Sequence, residues 1–118
     1  TRDFTYIADT VKGIYKAGIS NKTVGKIINI GTGKETEIKY LAKLITNICN
    51  KKTLPEYRPK RPADISKLQA DISVAKKLLN FSPRMSLKNG LGKYFKWLKK
   101  SGFDFKNAQS KDLENNWL

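Results

Sequence analysis

The chain has 118 residues and a formal net charge of +14, from 20 Lys and 4 Arg against 10 acids. That length holds about one domain and excludes a complete two-domain enzyme. One cysteine, Cys49, excludes an intrachain disulfide, and the absence of histidine excludes a zinc cluster and the usual general base of a Ser or Cys hydrolase.

Residues 2–7 are β-branched and aromatic and predict a short strand at 3–7. Asp9 stands where an N-cap belongs, and Val11, Ile14 and Tyr15 at helical spacing predict a helix over 9–18, stopped by Gly18. An apolar run predicts a strand at 26–30, ending in the turn Gly31-Thr-Gly-Lys-Glu35. Thr36 is expected to cap a second helix, 36–49, with Ile38, Leu41, Leu44, Ile45 and Ile48 on one face. Pro55, Pro59 and Pro62 then make a stiff loop in which Arg58 and Arg61, each preceding a proline, are held extended. A short edge strand is expected at 66–70. Asp71 is expected to cap a helix over 71–80, with Ala75, Leu78 and Leu79 inward. Ser86 caps a fourth helix, 86–100, with Leu87, Leu91, Tyr94, Phe95 and Leu98 on its apolar face and Gly102 ending it. Residues 101–118 form a polar tail, weakly ordered or docked on a neighbour.

The turn at Gly31-Thr-Gly-Lys34 follows a strand but fails as a phosphate loop. Ile28 stands where a Walker A loop has its first glycine, and Glu35 where it has Ser or Thr. A dinucleotide fingerprint needs glycine at position 36, which is Thr36. No tyrosine has a lysine four residues later, so no catalytic constellation is assembled. Three cationic or amide side chains do stand in constrained backbone: Arg2, Asn29 and Arg61. The planar arginine fork suits a phosphate, and Asp64, three residues after Arg61, suits sugar hydroxyls.

The segment Arg2-Asp-Phe-Thr-Tyr-Ile-Ala-Asp9 resembles the Arg-Asp-(Phe/Tyr)-x-(Tyr/His)-(Val/Ile)-x-Asp motif of the extended short-chain dehydrogenases, the NAD-dependent nucleotide-sugar epimerases and dehydratases. Asn29-Ile-Gly31-Thr-Gly33, Arg61-Pro-Ala-Asp64, Ala70-Asp71 through Pro83, and Ser86-Leu87-x-x-Gly90-Leu91 resemble four later motifs of that family, in order. The resemblance implies the mixed α/β C-terminal substrate-binding region of such an enzyme, similar to UDP-glucose 4-epimerase, with the Rossmann core elsewhere. It implies a nucleotide-sugar-binding region over 1–100, of which 1–34 partly belong to the Rossmann domain's sheet and face. It assigns the nucleotide diphosphate and ribose to Arg2, Asn29, Arg61 and Asp64. It implies NAD, bound by the N-terminal domain, and no cofactor or catalytic residue here, so that this stretch alone is inactive. It is also compatible with a homodimeric whole. The sequence departs from the family pattern at Ala63, where glycine is common, and at Lys88 and Asn89, where acids are usual.

A free-standing basic module for nucleic acid is the competing reading, on charge and on Tyr94, Phe95 and Trp97. Against it, Lys is accompanied by 11 Ile and 9 Asn, the signature of an AT-rich genome, and Tyr94 and Phe95 fall on a helix's apolar face. A membrane-surface role for the last helix is disfavoured for the same reason, no stretch is long enough to span a bilayer, and no secretory signal opens the chain. The expected compartment is the cytoplasm.

Overall fold

The computed structural model describes residues 1–50, 52–57, 59 and 63–103. Arg61 and the tail from 104 onward lie outside them. Four α-helices follow in order: α1 (Ile7–Gly18), α2 (Ile38–Cys49), α3 (Ser73–Leu79) and α4 (Leu87–Lys100), with a 3-10 turn at Asn21–Thr23. These are the four expected helices. α1 packs on α3, and α2 on α4.

The core is small and centres on α3. Ile72, Ala75, Leu79 and Phe81 are buried, and Ala17, Ile28, Ile30, Ala70 and Leu78 pack around them. Burial of Ala75 and Leu79 on one side of α3 follows from their spacing of four. The helix closes where Asn80 turns left-handed at φ 47° and the Asn80 and Phe81 amides both donate to the Ala75 carbonyl. The Lys16 ammonium, in the last turn of α1, donates to the Leu79 and Asn80 carbonyls at 2.9 and 2.8 Å. A cation is favourable at a helix C-terminus, and here it also joins α1 to α3.

The expected strands do not form ladders among the described residues. One isolated antiparallel bridge pairs Arg2 with Thr36, at 3.0 and 2.9 Å. Residues 26–30 keep a strand-like alternation: Ile28 and Ile30 face the core while Ile27 is 94% exposed. No neighbouring described segment offers them a hydrogen-bonded edge, and a strand exists only through its partner. At 66–70 the main-chain bonds to the N-terminal segment are Leu68 N–H to the Thr1 carbonyl, 3.3 Å, and the Thr1 ammonium to the Ser66 carbonyl, 2.6 Å.

Three caps differ from expectation. Asp9 is not the cap of α1, which starts at Ile7 with Tyr6 at the N-cap. The Asp9 carboxylate instead lies 7% exposed and accepts from the backbone amides of Arg84 and Met85, at 3.1 and 2.9 Å. Thr36 is engaged in the bridge to Arg2, so α2 begins after Glu37. Asp71 lies one residue before the Ile72 N-cap and accepts from the Ser73 amide at 2.9 Å. That bond, with the Ser73 hydroxyl and nearby Lys76, holds the Asp71 carboxyl below its ordinary value against slight desolvation. Ser86 does cap α4, accepting from the Asn89 amide. Tyr94 departs from the apolar face assigned to it. It is 53% exposed and stacks on Trp97, ring centroids 5.7 Å apart, because the neighbours at positions 91, 95 and 98 take the inner face.

Candidate nucleotide-sugar site

The N-terminal segment builds two layers of polar contact. Arg2 points its fork at the segment that follows the proline loop. Its Nη1 donates to the Thr1 and Ile65 carbonyls, both at 2.7 Å, and its Nη2 to Asp64 Oδ1 at 2.9 Å. The two charged side chains are about one-third exposed, so the pair is a modest stabiliser and a strong orienter. A guanidinium has five N–H donors, and these bonds use three of them.

Asp64 reaches Arg2 through an unusual backbone. Ala63 has φ 59°, in the left-handed region that a Cβ disfavours. This is the position where the resemblance leads one to expect glycine, and the geometry gives the physical reason for it.

Arg2 and Asn29 line one cavity of about 480 Å³, together with Asp3, Thr5, Ile30, Gly31, Gln69 and others. The Asn29 amide approaches the Asp71 carbonyl at 3.4 Å and is otherwise exposed. Three of the four expected site residues are therefore brought to one place: Arg2 and Asn29 in the wall, Asp64 on Arg2. The fourth, Arg61, lies outside the described residues.

Two members of this region were not singled out from sequence. Asp3 accepts from the Thr32 and Gly33 amides (3.0 and 2.8 Å), from the Thr32 hydroxyl and, at 3.4 Å, from the Ala70 amide. Burial works to raise the Asp3 pKa, but these donors together outweigh it and hold the carboxyl below its ordinary value. Gln69 Nε2 donates to the Gly33 carbonyl at 2.6 Å. The signal for Asp3 was its place beside Arg2. Its partners, about 30 residues away, carried none.

These contacts also decide what the Gly31–Gly33 turn can do. Gly31 has no room for a side chain, since a Cβ there would lie 2.6 Å from the Ala70 Cβ. Gly33 sits at φ 69°. Both amides that would cradle a phosphate, Thr32 and Gly33, already face the Asp3 carboxylate. A dinucleotide pyrophosphate does not fit a turn whose donors are spent on an internal anion.

No family model matches the chain. It is 39% identical over 102 residues to a UDP-glucuronate 4-epimerase of Thermodesulfobacterium geofontis, covering 85% of this chain and 31% of that protein. It is 35% identical to a UDP-glucuronic acid decarboxylase of Arabidopsis thaliana, covering 77% and 20%. Its fold superposes on a Bacillus cereus UDP-glucuronic acid 4-epimerase, solved with UDP-glucuronic acid and NAD, with a TM-score of 0.75 and 35% identity over 83% of this chain. The chain belongs to the extended short-chain dehydrogenases. It resembles a Methanothermobacter thermautotrophicus epimerase as well, with a TM-score of 0.82 over 92% of its length at 26% identity. It spans about 30% of the length of most of these relatives. The relatives named here are epimerases and a decarboxylase, and the Bacillus cereus enzyme is the one of them solved with NAD. The described part contains no helix long and apolar enough to cross a membrane.

Proposed function

We propose that this chain supplies the nucleotide-binding grip of a cytoplasmic, NAD-dependent enzyme that epimerises, dehydrates or decarboxylates a UDP-sugar. The observation that carries this reading is the shared cavity: Arg2 and Asn29 in one wall, with Asp64 held 2.9 Å from the arginine. A UDP-sugar presents an anion at its diphosphate and hydroxyls at its ribose. Arg2 offers a charged, planar donor for the first. Asp64 offers an acceptor for the second, and Asn29 an amide that both donates and accepts. Arg61, on sequence, adds a second guanidinium.

The chemistry itself falls outside these residues. NAD supplies hydride transfer in the family, and the Gly31–Gly33 turn does not fit it. The chain's contribution is positioning, in which binding energy from the remote nucleotide orients the sugar. The exposed face of α1 supports an adjoining domain in the whole protein: Val11 and Ile14 are 55% and 62% exposed. On this reading the region over about 1–34 shares its apolar surface with that domain, and the chain alone turns over no UDP-sugar.

The test is affinity in the whole protein. Arg2→Ala should weaken UDP-sugar binding about 10- to 100-fold, the equivalent of about 1.5–3 kcal/mol for a charged hydrogen bond. The free monosaccharide should bind far more weakly than its UDP conjugate. Unchanged affinity in Arg2→Ala, measured by calorimetry on a variant with normal circular dichroism, overturns the assignment.

A further inference from the structure

A second cavity, of about 350 Å³, lies between the 32–36 turn, α3 and the start of α4. Three cations line it, Lys34, Lys76 and Arg84, together with hydroxyls that include Thr32, Ser82 and Ser86. No carboxylate is among its lining residues. It is separate from the Arg2 cavity and shares no residue with it.

The three cations come from three different elements, and each backbone is fixed. The Lys34 amide donates to Thr32 Oγ1 at 3.2 Å, and Thr32 is itself held by Asp3. The Lys76 amide donates to the carbonyl of the Ile72 N-cap at 2.9 Å, in the first turn of α3. The Arg84 amide is bound by buried Asp9 at 3.1 Å. The side chains themselves are exposed. Asp71 interacts electrostatically with Lys76, and Glu35 and Glu37 flank the turn without lining the cavity. Asp3 and Asp9 sit behind the wall, on Thr32 and on the Arg84 and Met85 amides, so the cavity lining itself carries three cations and no acid.

The surrounding sequence strengthens that field. Eight Lys or Arg and no acid lie between Asp71 and Asp104. The first turn of α4 carries Lys88 and no acid, and Asp9 meets the chain just before it, at the Arg84 and Met85 amides. An anion would therefore meet three cations and the Ser82 and Ser86 hydroxyls, the Thr32 hydroxyl being already donated to Asp3.

We propose that the Lys34–Lys76–Arg84 cavity is a second anion site, taking a small diphosphate-class anion. Arg84 would supply the planar fork and the two lysines compact charge. The proposal does not depend on the role assigned to Arg2.

The test is titration of the whole protein with inorganic pyrophosphate at physiological ionic strength, followed by calorimetry. Wild type and Arg2→Ala should both show saturable binding at this site. The double variant Lys34→Ala/Arg84→Ala, made in the Arg2→Ala background, should lose roughly tenfold or more in affinity, while its circular dichroism stays unchanged. The single variant Arg84→Lys should fall between. Three results would each overturn the proposal: no saturable binding to wild type, wild-type affinity in the double variant, or binding that vanishes in Arg2→Ala.

Discussion

Asp3 Oδ2 lies 2.8 Å from the Gly33 amide, and that contact closes a glycine turn around an internal carboxylate rather than a ligand. The same carboxylate reaches Thr32 and Ala70, so it ties the N-terminal segment to the turn and to the approach to α3. Arg2 and Asp3 are adjacent in sequence but serve different ends: one faces the proposed ligand, the other secures the frame.

Replacing Asp3 should destabilise the fold and remove a pH dependence. Asp3→Asn should cost about 1.5–3 kcal/mol at pH 7, the range for hydrogen bonds to a charged group. The folded pKa is depressed below the ordinary 3.8, so the stabilisation is present above that value and is lost as pH falls through the lower, folded one. Urea titrations from pH 7 down to about 2 should show the gap between wild type and variant closing only below about pH 4. A gap independent of pH would contradict the charged-acceptor role.

Asp9 should behave as a staple and not as a cap. A cap tolerates serine almost as well as aspartate. The Arg84 and Met85 amides need an acceptor at the distance Asp9 reaches. Asp9→Ser and Asp9→Ala should therefore both cost about 1–3 kcal/mol, by leaving the same partly buried amides without a partner. Chemical denaturation of the two variants measures this, and a serine variant as stable as wild type would restore the capping role.

Ala63→Gly should stabilise the chain. An L residue in the left-handed region costs about 1–2 kcal/mol, and glycine there adds about 0.4–1 kcal/mol of unfolded-state entropy. The net expectation is a gain of about 0.5–1 kcal/mol, seen as a higher urea midpoint. A lower midpoint would show that the strain at φ 59° is not present in solution.

Gly13 should reject even a methyl group. A Cβ there would lie 2.8 Å from two atoms of Ile30, so Gly13→Ala should cost about 1–3 kcal/mol by overpacking. Adding Ile30→Val to Gly13→Ala should recover part of the loss. Strictly additive effects in the double variant would mean that the two positions do not touch.

Arg61→Lys should weaken UDP-sugar binding in the whole protein although it keeps the charge. An ammonium cannot reproduce the two parallel bonds of the guanidinium. Equilibrium binding of UDP to wild type, Arg61→Lys and Arg61→Ala checks this, and equal affinities across the three would remove Arg61 from the site.

The sequence by itself determined the four helices, the end of α4 shortly before Gly102, the failure of the Gly31–Gly33 turn as a nucleotide loop, and the motifs that placed the chain in its family. Those signals are local: apolar spacing of three and four, cap residues, and short fixed spacings between chemical types. Tertiary structure decided where the polar side chains go. Asp9 satisfies every local rule for a cap, yet its partners lie 75 and 76 residues away, and two partly buried amides facing a buried carboxylate outweigh an exposed helix end. Ile27–Ile30 has the composition of a strand, but without a neighbouring edge among the described residues only its alternation of burial survives. Arg2 and Asp64 are 62 residues apart, and no spacing rule links them. What joins them is the packing that lays the segment after the proline loop beside the N-terminus, together with a left-handed turn at Ala63 that local propensity argues against.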